Sequence, residues 1–169
     1  GGDKGALVVL APPLKPKGAF RVLERFRFAG LDYEEQADKL LRLLTRYNVT
    51  NIAIDGSGIG DAVWKLVVAK FATAKKIIYS VESKVLLVHK AKNVIRAGRL
   101  EFDASMSEII EAFVSIHAEL TNRQRSVTFV ADRAGGNGHA DLAWAIMNAL
   151  SFEGLDGAVT GQGNVVENF

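Results

Sequence analysis

Apolar and polar positions alternate with a period of two early in the chain and recur at three- and four-residue intervals further on. Residues 6–10 (ALVVL) form a short unbroken apolar run, the pattern of a buried strand. Pro12, Pro13 and Pro16, all the prolines of the protein, then end it. Over residues 19–28, Phe20, Val22, Phe26 and Phe28 are set against Arg21, Arg25 and Arg27, which predicts a second strand with one wet face. The turn-like connection 13–18 makes the two an antiparallel hairpin.

Helical spacing begins after Asp32, which can cap a helix, with Glu35 three residues on as in a capping box. Leu40, Leu41, Leu44 and Tyr47 follow on one stripe. Residues 51–54 (NIAI) read as a short strand ending at Asp55, and Gly56-Ser57-Gly58-Ile59-Gly60 as a turn. Val63, Trp64, Val67, Val68 and Phe71 mark a second helix. Residues 76–81 read as a strand, 83–97 as a helix stopped by Gly98, and 100–102 as a brief extended piece. Residues 105–120 are expected as one amphipathic helix through Ile109, Ile110, Phe113, Ile116 and Leu120. A short edge strand at 127–130, a glycine-rich loop at 134–138 and a last, apolar helix at 141–150 complete the order. A leading antiparallel hairpin followed by alternating helices and strands predicts an α/β protein: a mixed sheet with helices on its faces. Residues 1–150 are expected as one domain, and 151–169 as a C-terminal tail without periodicity.

Composition narrows the chemistry. The chain has 169 residues and no cysteine, which excludes disulfides, iron–sulfur clusters, thiolate zinc and a cysteine nucleophile. No apolar run approaches the roughly 18 residues of a membrane helix. No signal-peptide pattern opens the sequence. A soluble, cytosolic protein with no membrane partner is the expectation. A net charge of +2 permits a nucleic-acid partner without requiring one.

Asp55 ends an apolar strand and begins a glycine-rich turn. Sites in open α/β sheets form outside the carboxyl ends of strands, so a carboxylate there can point into a crevice. It can equally cap its own turn. The turn is neither a Walker loop nor a dinucleotide fingerprint. Asp141 opens the apolar helix within GHADLAWA, where a first-turn acid is favoured by the helix dipole in any case. Because that helix must be buried on nearly every face, its first acid is expected close to the sheet. His139 beside it is a possible accessory ligand or phosphate contact. Asp3 lies in the glycine-rich lead-in. Carboxylates converging on one pocket repel each other and are kept ionised by divalent cations, magnesium or manganese above all. Two such ions about 4 Å apart can activate a water and stabilise the leaving oxygen in phosphodiester cleavage. Glu101 and Asp103 share a face of the 100–103 segment. Asp103 could join the site as an accessory acid or simply cap the next helix. Lys84, Lys90, Lys92, Arg96 and Arg99 form a basic stretch that is either a wet face or, beside an acid site, a set of phosphate contacts.

Taken in order, Gly1-Gly2-Asp3, LVVLAPP from Leu7, IDGSGIG from Ile54, RLEFDA from Arg99 and GHADLAWA from Gly138 resemble the C-terminal nuclease domain of the large terminase subunit of tailed bacteriophages. The resemblance implies a ribonuclease-H-like fold. It also implies a metal-dependent endonuclease using two Mg2+ or Mn2+ ions to cut concatemeric double-stranded DNA during genome packaging. Asp55, Asp141 and, more weakly, Asp3 take the catalytic and metal-binding positions, with Lys84, Lys90, Lys92 and Arg99 on the nucleic acid. The implied partners are the terminase ATPase domain, the small subunit and the portal protein, in the cytoplasm of the bacterial host. In that family the first catalytic aspartate sits on a strand just upstream of the Gly-Gly-Asp loop, so the resemblance implies an incomplete metal site in these residues alone. A Holliday-junction resolvase of the same fold and a non-catalytic interaction module are the alternative readings.

Overall fold

The computed structural model describes residues 4–121, 126–131 and 140–154. Strand β1 (Lys4–Ala11) and strand β2 (Phe20–Ala29) pair antiparallel, as the proline-rich connection predicts. Their register shifts midway: Val9 lies opposite Glu24 but Leu10 opposite Val22, which leaves Leu23 as an extra residue on β2. Such a bulge reverses the face taken by the residues beyond it. Phe20 and Val22 therefore enter the main core, whereas Glu24 beyond the bulge reaches Arg46 and accepts a hydrogen bond from the Tyr47 hydroxyl at 2.5 Å. The single wet face expected of β2 instead changes sides at Leu23.

Helix α1 (Tyr33–Leu43) starts with the predicted reciprocal cap. The Glu35 N–H donates to Asp32 at 2.8 Å and the Asp32 N–H to Glu35 at 3.0 Å. Strand β3 (Ala53–Asp55), helix α2 (Ile59–Val68) and strand β4 (Lys75–Ile77) form a parallel crossover unit. Strand β4 is shorter than its apolar run because Ser80 and Ser83 make a second capping box that starts helix α3 (Val81–Arg96) at once. Gly98 ends α3 at φ +65°, a left-handed conformation that suits glycine. Strand β5 (Leu100–Glu101) then pairs parallel to β2.

The expected helix over 105–120 is corrected. It divides into a short 3-10 turn (Ala104–Met106), helix α4 (Glu108–Val114) and strand β6 (Ile116–Leu120), which pairs antiparallel with strand β7 (Val127–Ala131). Ile116, Ala118 and Leu120 alternate with His117 and Glu119, a period of two that overlaps the helical spacing from Phe113. The partner strand, distant in sequence, decides between them. Helix α5 (Ala140–Leu150) closes the described fold.

Helices cover both sides of the strands, as expected. Ile52 and Ile54 pack with Ala37 of α1 and with Val63 and Val67 of α2. Ala53 between them faces the other way, into the cluster of Val94, Ile109, Leu142, Ile146 and Leu150 from α3, α4 and α5. Hydrogen bonds join the described strands into three groups, β1-β2-β5, β3-β4 and β6-β7. A cavity of about 570 Å³ is lined by residues 5–11 along β1 and 51–55 along β3.

The segment after α5 is tied down by two of the cations expected as phosphate contacts. Arg99 Nη1 lies 2.9 Å from Glu153 Oε1, with side-chain exposures of 12% and 5%, and Arg99 Nε donates to the Gly18 carbonyl at 2.8 Å. Lys90, 7% exposed, donates to the Ser151 carbonyl at 2.8 Å. Both charges are engaged inside the fold, on partners in the segment after α5. At α2, Asp61 pairs with Lys65 at 2.8 Å and with Lys76. Hydrogen bonds from Lys65 and then Lys76 hold its carboxyl down at about 2.

Two expectations follow from these ion pairs. Arg99→Gln leaves Glu153 buried without its counter-ion and lowers unfolding free energy by about 3–5 kcal/mol in urea titrations, and adding Glu153→Gln restores part of it. A loss within the range of an exposed pair, below about 1 kcal/mol, would contradict the burial. Because the Asp61 carboxyl is depressed on folding, its contribution is complete above its ordinary value of 3.8 and disappears as pH falls through about 2. The melting-temperature gap between wild type and Asp61→Asn should therefore be constant between about pH 5 and 7 and close in acid. A gap that persists below the folded value would refute this.

Candidate functional site

Asp55 is the last residue of β3. Strand alternation places it on the same side as Ala53, the side covered by α5. Its Oδ1 accepts the Ser57 N–H at 2.9 Å, so the turn-capping role open to it from the sequence is present. The glycines let the chain fold back tightly beneath this aspartate. A Cβ on Gly60 would run into the Asp55 carbonyl oxygen, and one on Gly56 would meet the Lys76 side chain at 2.6 Å. Gly58, at φ +53°, occupies the N-cap of α2, a conformation that L side chains rarely adopt.

Asp141 lies in the first turn of α5, at the positive end of the helix dipole. It lines the same cavity as Asp55. The third member of this group is Tyr79, two residues past β4 at the carboxyl end of that strand. Burial first, and then the negative charges of Asp55 and Asp141, push the Tyr79 hydroxyl well above the ordinary phenol range. Both carboxylates thus act on one phenol.

Tyr79 also sets the position of α5. Its hydroxyl donates to Asn148 Oδ1 at 3.1 Å, and its ring centroid lies 5.2 Å from that of Trp144. Asp141, Trp144 and Asn148 follow at helical spacing and share one stripe of α5. Tyr79, Trp144 and Asn148 are absent from the residues singled out in the sequence. The signal was available in Asn148: a polar residue in an apolar helix, 6% exposed here, calls for a partner.

The remaining candidates divide. The Lys84 Nζ stands over the rings of Tyr79 and Trp144, two residues that line the acid cavity. Lys92 is exposed and its Nζ lies 5.2 Å from the Phe129 ring centroid on β7, outside that cavity. Asp103 takes the capping alternative: its Oδ1 accepts the Ser105 N–H at 2.9 Å, and the bonds to Ser105 hold its carboxyl low. Asp3 and His139 lie outside the described residues. Among the described residues, no group of three or more histidines and acids is placed to hold a metal. Asp55 and Asp141 supply hard carboxylate oxygens to a shared cavity, a donor type that suits Mg2+ or Mn2+. No helix among the described residues is long and apolar enough to cross a membrane.

Comparison with known proteins gives this geometry a setting. The family model of the terminase RNaseH-like domain matches residues 1–153. The terminase ATPase subunit of Escherichia phage P2 is 43% identical over 159 residues, 94% of this chain and 27% of that protein. The probable terminase ATPase subunit of Haemophilus phage HP1 is 36% identical over 156 residues, 91% of this chain and 26% of that protein. This chain spans about a quarter of the length of these curated relatives. The large terminase nuclease of thermophilic phage G20c, solved with bound cobalt, matches at a TM-score of 0.65 and 16% identity over 88% of this chain and 81% of that one. Its magnesium-bound form matches at 0.64 and 17% identity over 88% and 82%. At that identity the likeness speaks to the fold, and it is the ribonuclease-H-like arrangement that the sequence resemblance implied. This chain belongs to the terminase RNaseH-like domain family.

Proposed function

We propose that this domain is the metal-dependent endonuclease of a phage large terminase, cutting concatemeric double-stranded DNA during genome packaging. The observation that supports the reading is that Asp55 and Asp141 line one cavity and that both charges act on Tyr79. Asp55, fixed by the Ser57 N–H, and Asp141, on the first turn of α5, would hold magnesium or manganese. A divalent cation there supplies positive charge against the charge that develops on the phosphodiester oxygens. The G20c nuclease, solved with cobalt and with magnesium, supports a divalent cofactor for this fold. Tyr79 and Asn148 would hold α5, and with it Asp141, in place at the cavity. Backbone contacts and Lys84 would serve a substrate read through its phosphates, with little base specificity. In this reading the working protein includes an ATPase part, as the names of the relatives suggest, and the resemblance to large terminases would give it a small subunit and a portal as partners in the host cytoplasm.

The third ligand belongs, in this proposal, to Asp3 or to a further strand. The cavity along β1 and β3 is bordered by a strand on each side and suits one more extended segment from the longer protein. These 169 residues alone would then bind manganese weakly.

Two outcomes test the proposal. In a protein extended upstream to include that strand, Asp55→Asn and Asp141→Asn should each reduce manganese-dependent plasmid cleavage by about a hundredfold or more without shifting the urea midpoint. Full activity in both variants would remove the assignment. The 169-residue chain by itself should cut plasmid DNA slowly or not at all. Rapid cleavage by it would refute the need for the additional strand.

A further inference from the structure

Lys84 stands one turn into α3, where its backbone N–H donates to the Ser80 carbonyl at 3.1 Å. Its Nζ is 5.7 Å from the Tyr79 ring centroid and 5.6 Å from that of Trp144, over both rings at once. The two rings are inclined at 47°. The negative face of each ring attracts the ammonium. Among the described residues, no carboxylate lies within ion-pair distance of Lys84.

That arrangement is unusual beside two acids. The ring pair offers the ammonium a seat on the two aromatic residues that line the acid cavity. Three of the other four cations named from the sequence are engaged elsewhere: Lys90 on Ser151, Arg99 on Glu153, and Lys92 over Phe129. We infer that Tyr79 and Trp144 are positioning residues that hold the Lys84 ammonium beside the acid site, where it seats a DNA phosphate. This inference rests on the acid-site reading and assigns a phosphate contact to that same site. A point charge with no fixed fork of donors recognises the backbone of any sequence, which agrees with a site that reads phosphate.

The test is duplex-DNA binding by the full-length protein in calcium, measured against salt concentration, together with manganese-dependent cleavage. Lys84→Gln should weaken binding about tenfold at 0.1 M salt and make the salt slope shallower by about one. Lys84→Arg should keep most of both. Trp144→Leu should reproduce the Lys84→Gln change, and adding Lys84→Gln to it should cost little more. Where Trp144→Leu does not fold, Trp144→Phe should give a smaller loss with the same lack of additivity. An unchanged affinity and slope in Lys84→Gln overturns the inference. Losses that simply add in the double variant overturn the positioning role of the rings. Asp55→Asn and Asp141→Asn serve as the control for the underlying reading. If they cut normally, that reading fails, whatever Lys84 does. If they lose cutting while Lys84→Gln binds as wild type, only the present inference fails.

Discussion

The burial of α5 is the constraint on which the site depends. Leu142, Ile146, Met147 and Leu150 are each 1% exposed or less. Removing each such side chain from water contributes about 1.5–3 kcal/mol. A helix of 11 residues is marginal in water on its own. Packing, and not helical propensity, therefore keeps α5 in place and fixes where its first turn lies. Asp141 is carried on that turn. Tyr79 supplies the fine adjustment through Asn148 and Trp144.

Electrostatics then separates the two candidate acids from the acids engaged in ion pairs. Asp61, only six residues from Asp55, is neutralised by Lys65 and Lys76. Glu153 is held by Arg99 and Glu24 by Arg46 and Tyr47. Asp55 and Asp141 share their surroundings with a phenol that burial first, and then their negative charges, keep protonated. A turn N–H at Asp55 and a helix dipole at Asp141 offset part of the cost of two like charges in one cavity. A divalent cation would offset more of it. The Lys84 ammonium rests on the Tyr79 and Trp144 rings that border the same cavity.

Much of this was legible in local sequence signals. The Asp32–Glu35 capping box, the hairpin, the parallel β3–β4 unit and the apolar last helix follow from spacing and burial alone. What was not legible depends on contacts distant in sequence. Ile116–Leu120 satisfies two periods, and only its pairing with Val127–Ala131 makes it a strand. The bulge at Leu23 is a property of two strands in register and not of either one. Lys90 and Arg99 sit in a basic run, and nothing in that run announces that Ser151 and Glu153 will fold back over them. Asp55 stood out because a glycine-rich turn follows it. Tyr79 did not, because an aromatic residue after a strand is ordinary until its neighbours are known.

The central claim is that Asp55 and Asp141 jointly bind a divalent cation. A crystal structure of the protein soaked in manganese tests it most directly. The account predicts anomalous density between the two carboxylates, lost in Asp55→Asn and in Asp141→Asn. Manganese bound elsewhere, with those carboxylates facing apart, would contradict it.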